Sequence, residues 1–273
     1  MNTTPDRAAL VITLLLGALL LAPHATWAAG SVYLEDLTTA EVSATLRAGH
    51  TTLIIPVGGT EQNGPHMALG KHNTRVHVLA GRIATRLGNA VVAPVLAYVP
   101  EGNVTPPTEH MRFAGTISIS DNTFRAVLTG AAHSFRQHGF THIVLLGDSG
   151  NYQKSLQAVA DGLNKSWAGS PTRAHFVGEY YAATQTTYVD ALKSRGLSAS
   201  QIGTHAGVAD TALLMAVAPQ MVKPELLALA AREGRAGGTG GDPRAATAEL
   251  GQLGVDAIVS QTVDAIRRAT AGR

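Results

Sequence analysis

The chain has 273 residues and a mass of 28.3 kDa, which is enough for a single domain with a sizeable core. Hydrophobic residues make up 45% of the chain and charged residues 15%, a composition that is typical of globular proteins and excludes a disordered chain. The 21 basic and 19 acidic residues give a formal net charge of only +2, and no Lys/Arg cluster exceeds a pair, so we expect no nucleic-acid partner.

The N-terminal segment is typical of a secretory signal peptide. Arg7 precedes an apolar run at 8–22 that is too short for a comfortable membrane span, and a small-residue cleavage site follows it. We predict cleavage after Ala28, which divides the chain into a signal peptide at 1–28 and one mature domain at 29–273. An acidic residue beside Arg7 weakens the basic start of the signal, so an uncleaved anchor is the alternative.

The absence of cysteine limits what can stabilise an exported chain. The sequence has no cysteine and therefore no disulfide, so its stability must come from its core and any bound metal. We expect a periplasmic or secreted bacterial protein with no stable membrane span once the signal is removed.

Strand-like and helix-like patterns alternate along the rest of the chain. Short apolar runs predict buried strands at 53–57, 90–95, 141–146 and 173–177. Apolar residues at helical spacing predict helices over 76–87, 124–135, 156–167 and 255–266. Gly88 is the expected C-cap of the first helix. This alternation is typical of a mostly parallel sheet with helices on both faces, so the predicted fold is three-layer α/β/α.

A glycine-rich stretch at 234–243 resembles a linker between domains in composition. The roughly 30 residues after it are too few to form an independent core. We therefore interpret the stretch as a loop of the same domain that lies near the functional site.

Four segments concentrate side chains that can bind a metal or transfer a proton. Two of them, 58–73 and 147–151, directly follow predicted strands, and the carboxyl ends of parallel strands meet at one edge of a sheet. Carboxylate and imidazole ligands from separate loops are the usual components of hydrolytic zinc or manganese sites. Taken singly, each residue would more often be a cap or a solvated loop residue, so their coincidence is what indicates a site. The candidate residues are Glu61, Asn63, His66, His72, Glu109, His110, Asp148, Ser149, Asn151, His205 and Asp210.

Together the four segments resemble the creatininase (creatinine amidohydrolase) family. The loop that begins at Gly58 resembles the family segment G-[GS]-x-E-Q-H-G-P-H-L-P-L-G-T-D, and 109–118 resembles E-H-x-x-F-P-G-T-I-S. Residues 147–151 and 205–212 are similar to the segments N-G-H-G-G-N and H-A-G-x-x-E-T-S, and 241–247 matches G-D-P-x-x-A-T. The resemblance implies a three-layer α/β fold, a homo-oligomer, and a divalent-metal amidohydrolase in which metal-activated water attacks an amide carbon.

The resemblance keeps some of the family's metal ligands and replaces others. Glu61 falls on a ligand of the same type, whereas Asn63 and Asp148 each fall on a ligand histidine. His72 falls on the aspartate that bridges two metals, and Asp210 falls on a glutamate. Because a neutral imidazole offers one lone pair and cannot bridge two cations, we expect one divalent ion per chain (Zn, Mn or Fe) rather than two.

These correspondences assign a role to each candidate residue. We predict that the ion is held by Glu61, His72, Asp148 and Asp210 and that water is the nucleophile. The predicted catalytic groups are His205, Asp210 and His110. Residues expected to support the ligands or contact the substrate are Asn63, His66, Glu109, Ser149 and Asn151.

The predicted function is an exported metal-dependent amidohydrolase that cleaves a C–N bond in a cyclic amide or another small amide, and not in creatinine itself. A second hypothesis is a catalytically altered protein of the same fold that binds a small molecule or a partner without hydrolysis. A third is a metal-free hydrolase in which Ser149 acts with His205 or His72.

Overall fold

The computed structural model describes residues 30–271, and the predicted signal peptide at 1–28 lies outside this part of the chain. Within the described residues, no helix combines the length and the apolar character needed to cross a membrane.

The centre of the fold is a four-stranded sheet in which every neighbouring pair of strands is parallel. Leu53 and Ile143 face one side of the sheet, Ile54 and Val144 face the other, and all four are fully buried. Because helices cover both faces, β1, β2 and nearly all of β3 are buried, which is why these three strands are near-continuous apolar runs; the edge strand β4 begins at the exposed Arg173. In the order β2-β1-β3-β4, the strands are β1 (Thr52–Val57), β2 (Ala90–Val92), β3 (His142–Gly147) and β4 (Arg173–Phe176).

Ten α-helices are found in the described residues. They are α1 (Thr39–Arg47), α2 (Lys71–Leu87), α3 (Asp121–Gln137), α4 (Gln153–Ser166), α5 (Glu179–Gln185), α6 (Thr187–Ser194), α7 (Ala199–Ile202), α8 (Val208–Val217), α9 (Leu227–Glu233) and α10 (Ala248–Thr270). Helices α2, α5, α6, α8 and α10 pack on the sheet face of Ile54, and α1, α3 and α4 pack on the face of Leu53. This arrangement confirms the predicted three-layer α/β/α fold, and Ser31–Arg273 forms one compact unit.

Helix α2 connects the core to the functional site. Its C-terminal part carries the predicted apolar stripe and ends at Gly88, which has a φ of 80° and forms the expected left-handed C-cap. Its N-terminal part extends beyond the predicted start and adds Lys71, His72 and Arg75 to the buried face. Because buried charged side chains need partners, this end of α2 must lie against a polar site.

The carboxyl ends of β1 and β3 lie side by side. Val57 pairs with Gly147 in parallel register, and the backbone N–H of Asp148 donates to the Val57 carbonyl at 3.1 Å. The loops that carry Glu61 and Asp148 therefore leave the sheet at the same edge, as the parallel sheet required.

Helices α8 and α10 pack closely at a glycine on the same side of the sheet. Gly251 is buried in α10, and a Cβ atom added there would lie 1.9 Å from the Ala212 carbonyl oxygen of α8. Only glycine permits this approach of the two backbones. The contact matters for the site because Asp210 lies in the first turn of α8.

We predict that Gly251→Ala lowers the free energy of unfolding by roughly 1–3 kcal/mol, because the added methyl group forces α8 and α10 apart. Chemical denaturation followed by circular dichroism measures the change. Gly162→Ala in α4 is the matched control, since nothing lies within 4 Å of a Cβ atom at that position. The control should stabilise the protein by up to about 1 kcal/mol through better helix propensity. Equal effects of the two substitutions would contradict the proposed packing.

Candidate active site

A cavity of about 180 Å³ lies beyond the carboxyl ends of β1 and β3. Residues from all four segments singled out in the sequence form its wall. The N-terminal end of α2 adds three charged side chains that the sequence analysis assigned differently or did not consider. The charged and catalytic-type residues around the cavity are Glu61, Lys71, His72, Arg75, His110, Asp148, Ser149, Asn151, His205 and Asp210.

His72 lies at the centre of a buried ion network. Its Nδ1 is 2.6 Å from Asp148 Oδ2, and its Nε2 is 2.8 Å from Glu61 Oε1. Burial and the nearby Lys71 ammonium would lower the pKa of His72, but the Glu61 and Asp148 carboxylates outweigh them and raise it above the ordinary value. A carboxylate oxygen lies within hydrogen-bonding distance of each ring nitrogen, which is the geometry of an imidazolium that donates from both.

Arg75 joins two carboxylates from different segments. Its Nε donates to Asp148 Oδ2 at 2.8 Å, and its Nη1 donates to Asp210 Oδ1 at 2.9 Å. Asp148 Oδ1 also accepts the Tyr180 hydroxyl at 2.7 Å. Both oxygens of Asp148, which is 1% exposed, are thus already bound by protein donors.

Lys71 lies between the other two carboxylates. Its Nζ is 3.5 Å from Glu61 Oε1 and 3.5 Å from Asp210 Oδ1. Burial would raise the pKa of Asp210, but Lys71 and Arg75 hold it well below its usual range. Burial would likewise raise the pKa of Glu61, but the charges of His72 and Lys71 hold the pKa of Glu61 well below its usual range.

The predicted metal ligands Glu61, His72, Asp148 and Asp210 are therefore brought together, but not in a form that fits a divalent ion. His72 and Arg75 each donate to two of the carboxylates, Lys71 lies between Glu61 and Asp210, and an imidazole that donates from both nitrogens has no lone pair to offer. Three carboxylates face three protein cations, so the network is neutral without a metal. These ion pairs could not be read from the sequence, because Lys71 and Arg75 precede the apolar stripe that marks α2.

A second group of ligands lies beside this network and does fit a divalent ion. Glu61, His110 and His205 each offer a ligand atom, and these atoms lie within 4.8 Å of one another. Glu61 Oε2 is 3.3 Å from His110 Nε2, and Glu61 Oε1 is 3.7 Å from His205 Nδ1. Two histidines and one carboxylate with open positions are typical of Zn, Mn or Fe(II) sites.

His110 and His205 can bind a divalent ion only through a ring nitrogen that carries no proton. His205 Nε2 is 3.0 Å from the Gln62 carbonyl and 3.2 Å from the Gln62 side-chain nitrogen; when Nε2 carries the proton and donates to the carbonyl, the Nδ1 lone pair faces Glu61. Burial and the Lys71 charge lower the pKa of His205 to about 4, which keeps the ring neutral at pH 7. His110 Nδ1 accepts from the Gln62 side-chain amide at 3.1 Å, so a cation at its Nε2 requires the other tautomer and a rotated Gln62 amide.

Glu101 is a buried carboxyl group that the sequence analysis missed. It is 0% exposed, and burial together with the neighbouring Glu61 charge raises its pKa to about 8. It is therefore a neutral acid at pH 7, and Asn151 donates to its Oε2 at 2.9 Å. Glu101 follows no strand and belongs to no quoted motif, so its sequence context gives no signal of its burial.

Two predicted residues support the Glu61 loop and its surroundings without lining the cavity. The Asn63 side chain donates to the Glu61 carbonyl at 2.9 Å. His66 is buried, and its Nε2 is 2.9 Å from the Thr211 hydroxyl.

Ser149 lines the cavity but lacks a base. Its hydroxyl accepts from the backbone N–H of Asn151 as a helix cap. Within residues 30–271, His72 and His205 direct their ring nitrogens to other partners. This geometry gives no support to a nucleophilic Ser149.

A second cavity of about 560 Å³ adjoins the first on the side of His110 and His205. The glycine-rich loop at 238–240 lines it, in agreement with the interpretation of that loop as part of the site. Arg112 and Arg235 are exposed in its wall, and neither forms an ion pair within the described part of the chain. Other lining residues include Glu109, whose φ of 47° is unusual for a residue with a side chain, and Phe113.

We predict that His66 makes the protein less stable in acid. Burial, and then the Lys71 charge, lower its pKa to about 4, whereas an unfolded histidine has a pKa of about 6.5. Between these two pKa values the unfolded state binds more protons than the folded state. The contribution of His66 to the free energy of unfolding is therefore complete above about pH 6.5 and is lost as the pH falls toward 4. As the pH falls, the free energy of unfolding should therefore decrease more steeply for the wild type than for His66→Gln. The difference between the two slopes should be on the order of 1 kcal/mol per pH unit.

Urea denaturation at several pH values between 6.5 and 4.5 measures the two slopes. His138→Gln, at an exposed position after α3, is the matched control and should follow the wild-type slope. Identical slopes for the wild type and His66→Gln would contradict the assignment.

Comparisons with known proteins agree with this architecture. Among curated relatives, the mycofactocin precursor peptide peptidase of Mycobacterium ulcerans (strain Agy99) is 29% identical over 259 residues, covering 84% of this chain and 90% of the relative. The creatinine amidohydrolase of Pseudomonas putida is 27% identical over 198 residues, covering 70% of this chain and 74% of the relative.

Solved structures show the same fold. A crystal structure of creatinine amidohydrolase (creatininase) superposes with a TM-score of 0.74 at 24% identity, covering 90% of this chain and 100% of the other. A structure described as Creatininase Mn has a TM-score of 0.70 at 24% identity and covers 88% and 99% of the two chains. The sequence profile of the family described as Creatininase: Creatinine amidohydrolase matches residues 35–266. The chain therefore belongs to the creatininase (creatinine amidohydrolase) family.

Proposed function

We propose that this protein is a metal-dependent amidohydrolase that uses one divalent ion, Zn, Mn or Fe, held by Glu61, His110 and His205. The observation that carries the proposal is the convergence of these three ligand atoms within 4.8 Å at the edge of the cavity. Its relatives include proteins named for the hydrolysis of an amide or a peptide, and a solved structure of the family is described as a Mn form.

The residues around the triad support this chemistry. When bound, the ion would polarise the amide carbonyl and lower the pKa of water. The Gln62 backbone carbonyl holds His205, and Asn63 holds the Glu61 backbone, whereas the Gln62 side-chain amide at His110 must rotate for His110 to bind the ion. Asp210 is ionised and bound by Lys71, Arg75 and the backbone of Ala206, so we assign it to positioning rather than to proton transfer.

The second cavity supports a substrate that carries a carboxylate next to the scissile amide. Arg112 and Arg235 lie in its wall and have no ion-pair partner among residues 30–271, and guanidinium groups bind carboxylates through paired hydrogen bonds. Phe113 adds an apolar surface in the same cavity. A short peptide or an N-acyl amino acid has this combination of groups, and several curated relatives are named as peptide peptidases.

A second candidate function is binding without hydrolysis. It is favoured by the ion network around His72, which is neutral without any metal. The metal content of the purified protein separates the two candidates.

The proposed location is the periplasm or the medium, because the segment at 1–28 has the composition of a secretory signal. Expression of the full chain followed by cell fractionation and N-terminal sequencing tests this, and an intact N-terminus in the cytoplasm would contradict it.

We predict that protein purified without chelators contains about one Zn, Mn or Fe per chain and that His205→Ala and His110→Ala each lose it, because each removes one of three ligands. Elemental analysis by mass spectrometry measures the ratio. His138→Ala is the control and should keep its metal. A wild type that stays metal-free when Zn²⁺ and Mn²⁺ are supplied would favour the binding protein instead.

We predict that Arg112→Ala and Arg235→Ala raise KM about tenfold or more for an amide substrate that carries a carboxylate, because each removes a charge-assisted hydrogen bond. The same substrate with its carboxylate amidated should show no difference between the wild type and either variant. Arg232→Ala, at an exposed position of α9 outside the cavity, is the matched control. Equal losses on both substrates would contradict the carboxylate site.

A further inference from the structure

We propose that Lys71 is a built-in cation that occupies the place of a divalent ion between Glu61 and Asp210. The proposal concerns a position beside the Glu61–His110–His205 triad and goes beyond the proposed function. If the Lys71 side chain fills the position between Glu61 and Asp210, no second metal ion can bind there, and the chain holds one ion at most.

The Lys71 ammonium is a buried counter-ion shared by two carboxylates from different segments. Its Nζ is equidistant, at 3.5 Å, from Glu61 Oε1 and Asp210 Oδ1, which come from the loop after β1 and from α8. The Lys71 and Glu61 side chains are 1% and 2% exposed. Among the described residues, this buried Nζ has no hydrogen-bond partner, so charge attraction alone accounts for its position.

The position is unfavourable for a lysine in every other respect. Lys71 is the first residue of α2, where the helix dipole disfavours a positive charge. It is also fully buried, where an unpaired ammonium would be strongly destabilising. Only the two carboxylates offset these costs, so the lysine and the carboxylates form one unit.

The remaining members of the network cannot replace Lys71. Arg75 is directed to Asp148 and to one oxygen of Asp210, and both ring nitrogens of His72 are hydrogen-bonded. Removal of the lysine side chain would therefore leave free space and an uncompensated negative charge between Glu61 Oε1 and Asp210 Oδ1, which keep one protein hydrogen bond each, from His72 and Arg75 respectively. Oxygen ligands with a negative charge and free space are what a divalent ion requires.

Lys71→Ala tests this inference in a His205→Ala background, in which the triad has lost a ligand. The probe is Zn²⁺ alone, and the readouts are bound Zn²⁺ per chain and the midpoint of thermal unfolding with and without Zn²⁺. Lys71→Ala/His205→Ala should bind one more Zn²⁺ per chain than His205→Ala. Lys71→Arg/His205→Ala, which keeps the charge, should gain none.

The matched control is Lys71→Ala/Asp210→Asn/His205→Ala, which removes a cation and an anion together. Zn²⁺ should raise the unfolding midpoint of Lys71→Ala/His205→Ala and leave that of this control unchanged, even if the former is partly unfolded without the ion. The inference is overturned if Lys71→Ala/His205→Ala gains no Zn²⁺ and no Zn²⁺-dependent stability, or if the control gains as much. A metal-free triad in the wild type would overturn the proposed function but would leave this difference between variants intact.

Discussion

The structure of this site depends on the need to neutralise three carboxylates at the buried edge of a parallel sheet. The fold places Glu61 and Asp148 beyond two neighbouring strands, and α8 brings Asp210 to the same place. The Glu61 and Asp148 side chains are almost fully buried and that of Asp210 is 21% exposed, so solvent stabilises these charges poorly and they must be paired. In this chain the N-terminal end of α2 supplies the pairing through Lys71 and Arg75, together with His72.

This pairing divides the site into two parts with different properties. The ion network is a frame in the wall of the cavity, in which three carboxylates are paired with Lys71, His72 and Arg75. The triad at its edge is more open, because its three ligand atoms converge within 4.8 Å of one another beside the cavity. Glu61 belongs to both parts, so the frame determines where the triad can hold an ion. Two cavities meet at His110 and His205, which places this position within reach of a substrate.

Much of the fold could be predicted from the sequence, because strong apolar patterns determine it. The strands β1 and β3 and the helices α2, α3, α4 and α10 all follow from such patterns, and the family resemblance read from the motifs is confirmed by the profile match. Helices α5, α7 and α9 are too short to show a period, and α8 is apolar on most of its faces, so no amphipathic pattern marks it.

The candidate site was only partly accessible to the same analysis. Parallel strand ends made it possible to place Glu61 and Asp148 together, but the partner of each charge depends on tertiary contacts. Lys71 and Arg75 look like solvated residues at a helix start until the structure shows them buried. Anomalous diffraction from crystals soaked in Zn²⁺ or Mn²⁺ tests the resulting account most directly. We expect a single peak among Glu61, His110 and His205 and none between Glu61 and Asp210. A peak coordinated by Asp148 or Asp210, with Lys71 displaced, would contradict it.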